Sequence, residues 1–336
     1  MLHYARRYLP LLFAVAAVRA VAADQGPVYG PELQGFTYPF PVQHFQFTSQ
    51  GEALQMAYMD VAPQGTPNGK TAILLHGKNF CAATWDATIK AFSSAGYRVV
   101  APDQIGFCAS TKPAHYQYTF QQLASNNAAL LKHLGIERAV VIGHSTGGML
   151  ATRFALMFPH IVEQLVMVNP IGLEDWKALG VPYRTVDQWY ARELKVTAAS
   201  IESYEKATYY NHRWKPEYSR WVDMLAGLNR GPGQQLVAWN SALIYDMIFS
   251  QPVIYEFPLL TMPTLLMIGD ADTTAIGSDI APADIKARLG NYKVLGKTVI
   301  RQIPQGRLIE FPGLGHAPQM EDPERFHKAL LGALRD

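Results

Sequence analysis

One stretch, residues 139–158, constrains the fold of this chain more than any other feature. It begins with four apolar residues, continues through Gly143-His144-Ser145-Thr146-Gly147, and ends in a segment with helical periodicity. The apolar residues suit a buried strand, and the glycines on either side of Ser145 permit a turn that larger side chains would block. A sharp turn from a strand into a helix exposes the side chain at its apex. The sequence therefore predicts a strand, a turn and a helix that present the hydroxyl of Ser145.

Strands and helices alternate on both sides of this unit. The pattern predicts strands at 54–61, 71–75, 97–101, 139–142 and 162–168, and helices at 84–95, 120–134 and 147–158. It stops near Ile171 and resumes with strands at 264–268 and 307–311 and a helix at 323–334. Apolar strands separated by crossover helices form a mostly parallel sheet with helices on both faces. We therefore expect an α/β core made of residues 42–171 and 259–336.

The interval between the two halves of this core, residues 172–258, has a different composition. It contains fifteen aromatic residues, including five of the six tryptophans in the chain. We expect a helical cap, hereafter called the insertion. Some of its aromatic side chains would form the core of the insertion, and others would line an apolar cleft beneath it.

The N-terminus resembles an export signal. Arg6 and Arg7 precede an apolar run that is too short to span a bilayer, and small residues follow up to Ala23. We interpret residues 1–22 as a signal peptide, which favours a secreted or periplasmic protein over one held by an uncleaved anchor. Removing them leaves 26 basic and 27 acidic side chains and no basic patch. Neither nucleic acid nor a membrane surface is therefore indicated as a partner, and no membrane anchor would remain after cleavage. The oligomeric state is not indicated.

Two later loops contain groups that could assist a serine. His316 lies in a glycine-rich loop directly after the last predicted strand, a setting that the other nine histidines do not share. Asp270 and Asp272 both follow the strand at 264–268. A serine hydroxyl needs such a base, oriented by an acid, to become a nucleophile.

Together these motifs resemble the α/β-hydrolase superfamily over residues 42–334. The resemblance implies that Ser145 is the nucleophile, His316 the base and Asp272 the acid, since the acid commonly lies three residues after the strand-end glycine. Asp270 stays as the alternative acid, with Glu174 and Asp175 more remote. The resemblance also implies that two backbone N–H groups bind the oxyanion, those of Lys78, in His76-Gly77-Lys78, and Thr146. The side chain of Lys78 is assigned no role.

A second resemblance concerns residues 103–113. They are similar to the D-x-x-G-x-G-x-S-x-K-P loop of haloalkane dehalogenases and epoxide hydrolases, with Cys108 replacing a glycine. Those enzymes use an aspartate nucleophile where this chain has Ser145, so their chemistry is not expected here. In the sheet order of the superfamily, Cys81 and Cys108 lie on adjacent loops, which favours a disulfide over two buried thiols in an exported protein.

The sequence thus predicts a serine hydrolase that cleaves a small or medium carboxylic ester through an acyl-enzyme. No cofactor is expected, and no metal, because no two histidines have ligand spacing. Hydrolysis of a lactone, an amide or a carbon–carbon bond on the same residues is the alternative. A non-catalytic binding module is a further alternative, although such proteins usually lack some of these residues.

Overall fold

A computed structural model describes residues 25–334 of the chain. The predicted signal peptide, residues 1–22, lies outside the described residues. The strands are β1 Val42–Ser49, β2 Glu52–Val61, β3 Thr71–Leu75, β4 Arg98–Pro102, β5 Ala139–His144, β6 Val162–Val168, β7 Thr264–Gly269 and β8 Gly306–Phe311. The helices are α1 Asp86–Ser94, α2 Phe120–His133, α3 Thr146–Met157, α4 Val186–Glu193, α5 Ala198–Thr208, α6 Ser219–Arg230, α7 Gln234–Ser250, α8 Ala283–Lys286, α9 Tyr292–Val299, α10 Pro318–Glu321 and α11 Pro323–Ala333.

The eight strands form one sheet in the order β1-β2-β4-β3-β5-β6-β7-β8. Strand β2 pairs antiparallel with both of its neighbours, β1 and β4, and every other neighbouring pair is parallel. This is the α/β-hydrolase fold, so the predicted fold class is confirmed. The carboxyl ends of β5, β6, β7 and β8 meet at one edge of the sheet, where ligands bind in open α/β folds.

Helices cover both faces of the sheet. Successive strand residues point to opposite faces, and accordingly Ile73 and Leu75 pack in one core while Ala72 and Leu74 pack in the other. The first core includes side chains of α2, α3 and the insertion, and the second includes side chains of α1 and α11. The parallel strands are buried on both sides, which explains their nearly continuous apolar sequences.

The insertion forms helices α4 to α7 between β6 and β7. The apolar residues of α6 and α7, such as Met224 and Met247, join the core on the α3 face of the sheet. Helices α8 and α9 lie between β7 and β8 and form a second connection near the same edge. Within residues 25–334, no helix combines the length and the hydropathy that crossing a membrane requires.

Two of the differences from the sequence-based expectation concern β1 and the start of α1. Residues 42–49 form the strand β1, which the apolar pattern did not show because most of its side chains are exposed or only partly buried on an edge strand. The helix expected from residue 84 begins instead at Asp86, since residues 82–85 form a 3-10 turn. Neither difference moves a candidate site residue.

Candidate active site

Ser145 lies at the turn between β5 and α3 in a strained conformation. Its φ is 57° and its ψ is −122°, a combination that non-glycine residues rarely adopt. The turn is held by the Ser145 N–H, which donates to the carbonyl of Val168 at 3.1 Å, and by the N–H of Gly148, which donates to the carbonyl of Ser145 at 2.9 Å. A Cβ on Gly147 would collide with the backbone of Leu75. The sequence therefore needs glycine at position 147 for the turn to pack against β3.

Asp272 and His316 form a buried pair. His316 Nδ1 donates to Asp272 Oδ2 at 2.6 Å, and neither side chain is exposed. The other carboxylate oxygen accepts from the N–H and the hydroxyl of Thr274, at 2.8 and 2.7 Å. Among residues 25–334, the remaining ring nitrogen of His316, Nε2, is buried without a hydrogen-bond partner. The ring therefore has a fixed orientation and a free nitrogen.

The other acids considered from the sequence have different partners. Asp270 accepts from the N–H of Gly313 at 2.6 Å, and Glu174 accepts from the N–H of Gly290 at 2.9 Å. Asp175 accepts from the N–H of Lys177. The structure thus brings Asp272, and not these three, to His316.

Two further side chains brace this pair and were not singled out from the sequence. The amide of Asn169, at the end of β6, donates to Asp272 at 2.9 Å and accepts from the N–H of Gly269 at 2.8 Å. Because burial above all, and then the nearby His316 ring, lower the pKa of His144 well below its ordinary value, the imidazole is neutral. His144 Nε2 donates to the carbonyl of His316 at 2.8 Å. In the sequence, the signals that could have identified them are that His144 directly precedes Ser145 and that Asn169 directly follows a predicted strand.

The loop after β3 lies directly against Ser145. A Cβ on Gly77 would lie 2.7 Å from the Cβ of Ser145, so glycine is needed for this approach. His76 holds the loop from within: Nδ1 donates to the carbonyl of Gly77 at 2.8 Å, and Nε2 accepts from the N–H of Gln104 at 3.0 Å. Thr146 is the first residue of α3, and N–H groups of a first helical turn lack partners within the helix.

A disulfide joins Cys81 to Cys108, across the loops that follow the adjacent strands β3 and β4. Between them, Asp103 accepts from the N–H groups of Ala82 at 2.7 Å and Ala109 at 3.1 Å. Among residues 25–334, these two cysteines and Asp103 are the one group with the proximity to hold a metal ion. Because both sulfurs are oxidised and the carboxylate already accepts hydrogen bonds, this group instead fixes the end of the loop beside Ser145.

A cavity of about 630 Å³ lies between the insertion and the core. Its wall includes Lys78 and Asn79 of the loop beside Ser145, and Thr273 and Thr274, which follow Asp272. From the insertion it includes three aromatic residues, Trp189, Tyr204 and Tyr245. Neither Ser145 nor His316 is part of the wall.

Other aromatic residues of the insertion cover His316. The ring of Tyr209 stacks on the His316 ring at 4.9 Å between centroids and on Phe80 at 5.2 Å. Tyr210 and Tyr218 stack on each other at 3.7 Å in the same cluster. Some aromatic residues of the insertion therefore line the cavity and others form the cluster that covers the histidine, while Trp221 and Phe249 pack in the core.

The fold and the constellation at this edge of the sheet define a hydrolase of the α/β-hydrolase class. Residues 71–323 match the model of the alpha/beta hydrolase fold family, and the chain belongs to that family.

One similar protein is a probable hydrolytic enzyme from Pseudomonas aeruginosa PAO1, whose crystal structure is known. It is 63% identical with a TM-score of 0.91, covering 92% of this chain and 99% of that one. The bifunctional esterase/perhydrolase DCH of Acinetobacter calcoaceticus is 23% identical over 86% of this chain and 99% of its own length. A thermophilic esterase from Thermogutta terrifontis, 22% identical with a TM-score of 0.67, covers 87% of this chain and 98% of that one and shares the fold.

Proposed function

We propose that this protein is a serine hydrolase that cleaves small or medium carboxylic esters. The observation that supports this most strongly is the buried hydrogen bond of 2.6 Å between His316 Nδ1 and Asp272, which leaves Nε2 without a partner. In a serine hydrolase that nitrogen takes the proton of the nucleophile. Ser145, on its strained turn at the same edge of the sheet, is the nucleophile in this proposal.

The reaction proceeds in two steps. Ser145 Oγ attacks the ester carbonyl carbon while its proton passes to His316 Nε2, and Asp272 stabilises the imidazolium that forms. The tetrahedral intermediate collapses when the carbon–oxygen bond to the alcohol breaks, and the alcohol leaves with the proton from His316. Water then attacks the acyl-enzyme by the same route and releases the acid. The backbone N–H groups of Lys78 and Thr146 stabilise the negative oxygen in both steps. These steps use no cofactor.

The cavity supports an ester with an apolar, and in some substrates aromatic, part. Its volume of about 630 Å³ suits a small molecule, and rings from the insertion contribute to its wall. One of the similar proteins is named as an esterase, which supports an ester substrate, and hydrolysis of a lactone, an amide or a carbon–carbon bond stays the alternative.

We also propose that the protein acts outside the cytoplasm, as a secreted or periplasmic enzyme. The N-terminal sequence and the disulfide between Cys81 and Cys108 both support this, because structural disulfides persist in oxidising compartments.

The proposed activity is tested with acetyl and butyryl aryl esters as substrates for the purified protein and for Ser145→Ala. We expect the protein to hydrolyse these esters and the variant to be inactive. Equal rates for the two proteins would contradict the proposal. A parallel panel of a lactone, an aryl amide and a diketone tests the substrate class, and faster turnover of any of these than of the esters would replace ester hydrolysis as the main activity.

A further inference from the structure

The side chain of Lys78 forms a buried ion pair with the insertion. Its ammonium group lies 3.1 Å from Glu193 Oε2 at the end of α4, and the two side chains are 11% and 10% exposed. The same ammonium group lies 3.7 Å above the centre of the Tyr245 ring on α7. A cation over an aromatic ring is attracted to it, more strongly when water is excluded. The side chain to which the sequence assigned no role is therefore attached to two helices of the insertion.

Glu193 is held as a carboxylate at this place. Burial raises the pKa of Glu193, but Lys78, the hydroxyl of Ser241 and Arg192 together outweigh it, so the pKa lies below its ordinary value. Ser241 donates to Glu193 at 2.6 Å, and Arg192 lies at 3.1 Å. The acceptor for Lys78 is thus fixed by α7 as well as by α4.

The loop that contains Lys78 is anchored differently on its two sides. Within the core, His76 and the disulfide at Cys81 fix its ends. Toward the insertion, its contacts include the ion pair of Lys78, a hydrogen bond of 2.9 Å from the Asn79 amide to the hydroxyl of Tyr209, and the stacking of Phe80 on the Tyr209 ring. The N–H of residue 78 lies between these anchors. An oxyanion donor must be placed within a few tenths of an ångström, and a displacement of about 1 Å can cost on the order of 100-fold in rate.

We propose that Lys78 is a positioning residue. The ion pair between its side chain and Glu193 holds the Lys78 backbone N–H in the oxyanion hole. The insertion thereby completes the catalytic site. This inference rests on the proposed function of Ser145. It assigns to the insertion a part in catalysis besides lining the cavity. Lys78 acts through its own backbone and not by contact between its ammonium group and the substrate.

The test compares Lys78→Met, Glu193→Gln, the double variant and Lys78→Arg. In Lys78→Met, Glu193 keeps Ser241 and Arg192, so no unpaired charge is left buried and the variant is expected to fold. We expect kcat on a butyryl aryl ester to fall about 10- to 100-fold in Lys78→Met and Glu193→Gln, with KM changed less than about twofold. The double variant should be no worse than either single variant, and Lys78→Arg should recover most of kcat by restoring the ion pair.

A second readout separates positioning from a purely structural role. Affinity for a trifluoromethyl ketone, which forms a tetrahedral adduct with a serine, should fall by the same factor as kcat/KM, while affinity for the planar carboxylate product stays unchanged. Arg153→Met is the matched control, because it breaks an ion pair between α3 and Glu256 of the insertion that does not involve this loop. It should leave kcat unchanged.

Several results would overturn the inference. Wild-type kcat in Lys78→Met together with an inactive Ser145→Ala would reject it and leave the proposed function standing. A faster Glu193→Gln would show that the free ammonium group acts directly on the reaction. Equal loss of ketone and product affinity would indicate a change in the cavity and not in the oxyanion hole. Wild-type activity in Ser145→Ala would instead reject the proposed function itself.

Discussion

The core and the insertion each bury a carboxyl group, and they do so in opposite ways. Asp272, at the end of β7, is 1% exposed and accepts hydrogen bonds from His316, Thr274 and Asn169. Glu205, near the end of α5, is equally buried, but its Oε2 has no partner among residues 25–334. Burial raises the pKa of Glu205 to about 8, with a smaller contribution from Glu202. The strand end in the core provides several hydrogen-bond donors to Asp272, whereas the surroundings of Glu205 in the insertion keep Glu205 neutral below about pH 8.

Substitution of Asp272 in the core is expected to have the largest effect on kcat. Asp272→Asn should lower kcat about 10³- to 10⁴-fold, because the amide no longer holds the histidine tautomer or stabilises the imidazolium. Asp270→Asn should change kcat by less than about threefold. Within residues 25–334, the only hydrogen bond to the Asp270 carboxylate comes from the N–H of Gly313 in a loop. Steady-state kinetics on one aryl ester measures both. A larger loss in Asp270→Asn than in Asp272→Asn would reverse the assignment of the acid.

The next largest expected effect is on the free energy of unfolding and comes from Glu205 in the insertion. Since the pKa of Glu205 is raised from 4.5 to about 8, the unfolded chain loses this proton at a lower pH than the folded protein does. The folded state is therefore penalised increasingly as pH rises from about 4.5 to about 8, and the penalty is constant above that.

Glu205→Gln removes this penalty. The stability difference in favour of the variant should be near zero at pH 4, grow with pH, and reach on the order of 5 kcal/mol above pH 8. Urea unfolding across this pH range measures it, with the exposed Glu137→Gln as control. A difference that is independent of pH would show that Glu205 is ionised in the folded protein.

The smallest expected effect is the loss of kcat after substitution of Gly77, in the loop that lies between the core and the insertion. Gly77→Ala would place a methyl group 2.7 Å from the Cβ of Ser145, so the loop must shift. We expect about a 100-fold loss of kcat from a displacement of this kind. Gly332→Ala in α11 is the matched control, because the added methyl group meets nothing within 4 Å, and it should raise stability by about 0.5–1 kcal/mol. Equal kcat values for both variants would mean that the loop beside Ser145 tolerates movement.

The core was predictable from the sequence because its signals are local. The strand, turn and helix around Ser145 are continuous in the sequence, and glycine marks the positions where the backbone approaches β3 and the loop after it. The parallel strands are buried on both faces, so their apolar runs are nearly unbroken. The edge strand β1 was not recognised, since most of its side chains are exposed or only partly buried and the apolar pattern is weak.

The insertion was predicted from the interruption of the strand and helix alternation and from its composition, but its contacts were not predictable. The aromatic count indicated a cavity wall without separating Trp189 and Tyr245, which line it, from Tyr209, which covers His316. The ion pair between Lys78 and Glu193 joins residues 115 positions apart, and no local pattern connects them. Side-chain pairs of this kind depend on how the helices of the insertion pack on the core, which the periodicity of a single sequence does not specify.

Covalent labelling tests most directly whether Ser145 is the nucleophile activated by His316. The purified protein is treated with a fluorophosphonate, digested and analysed by mass spectrometry, alongside Ser145→Ala and His316→Ala. We expect a single phosphonate on the peptide that contains Ser145, no label in Ser145→Ala, and labelling slowed at least about 100-fold in His316→Ala. Labelling of another residue at the wild-type rate, with Ser145 unmodified, would contradict this assignment.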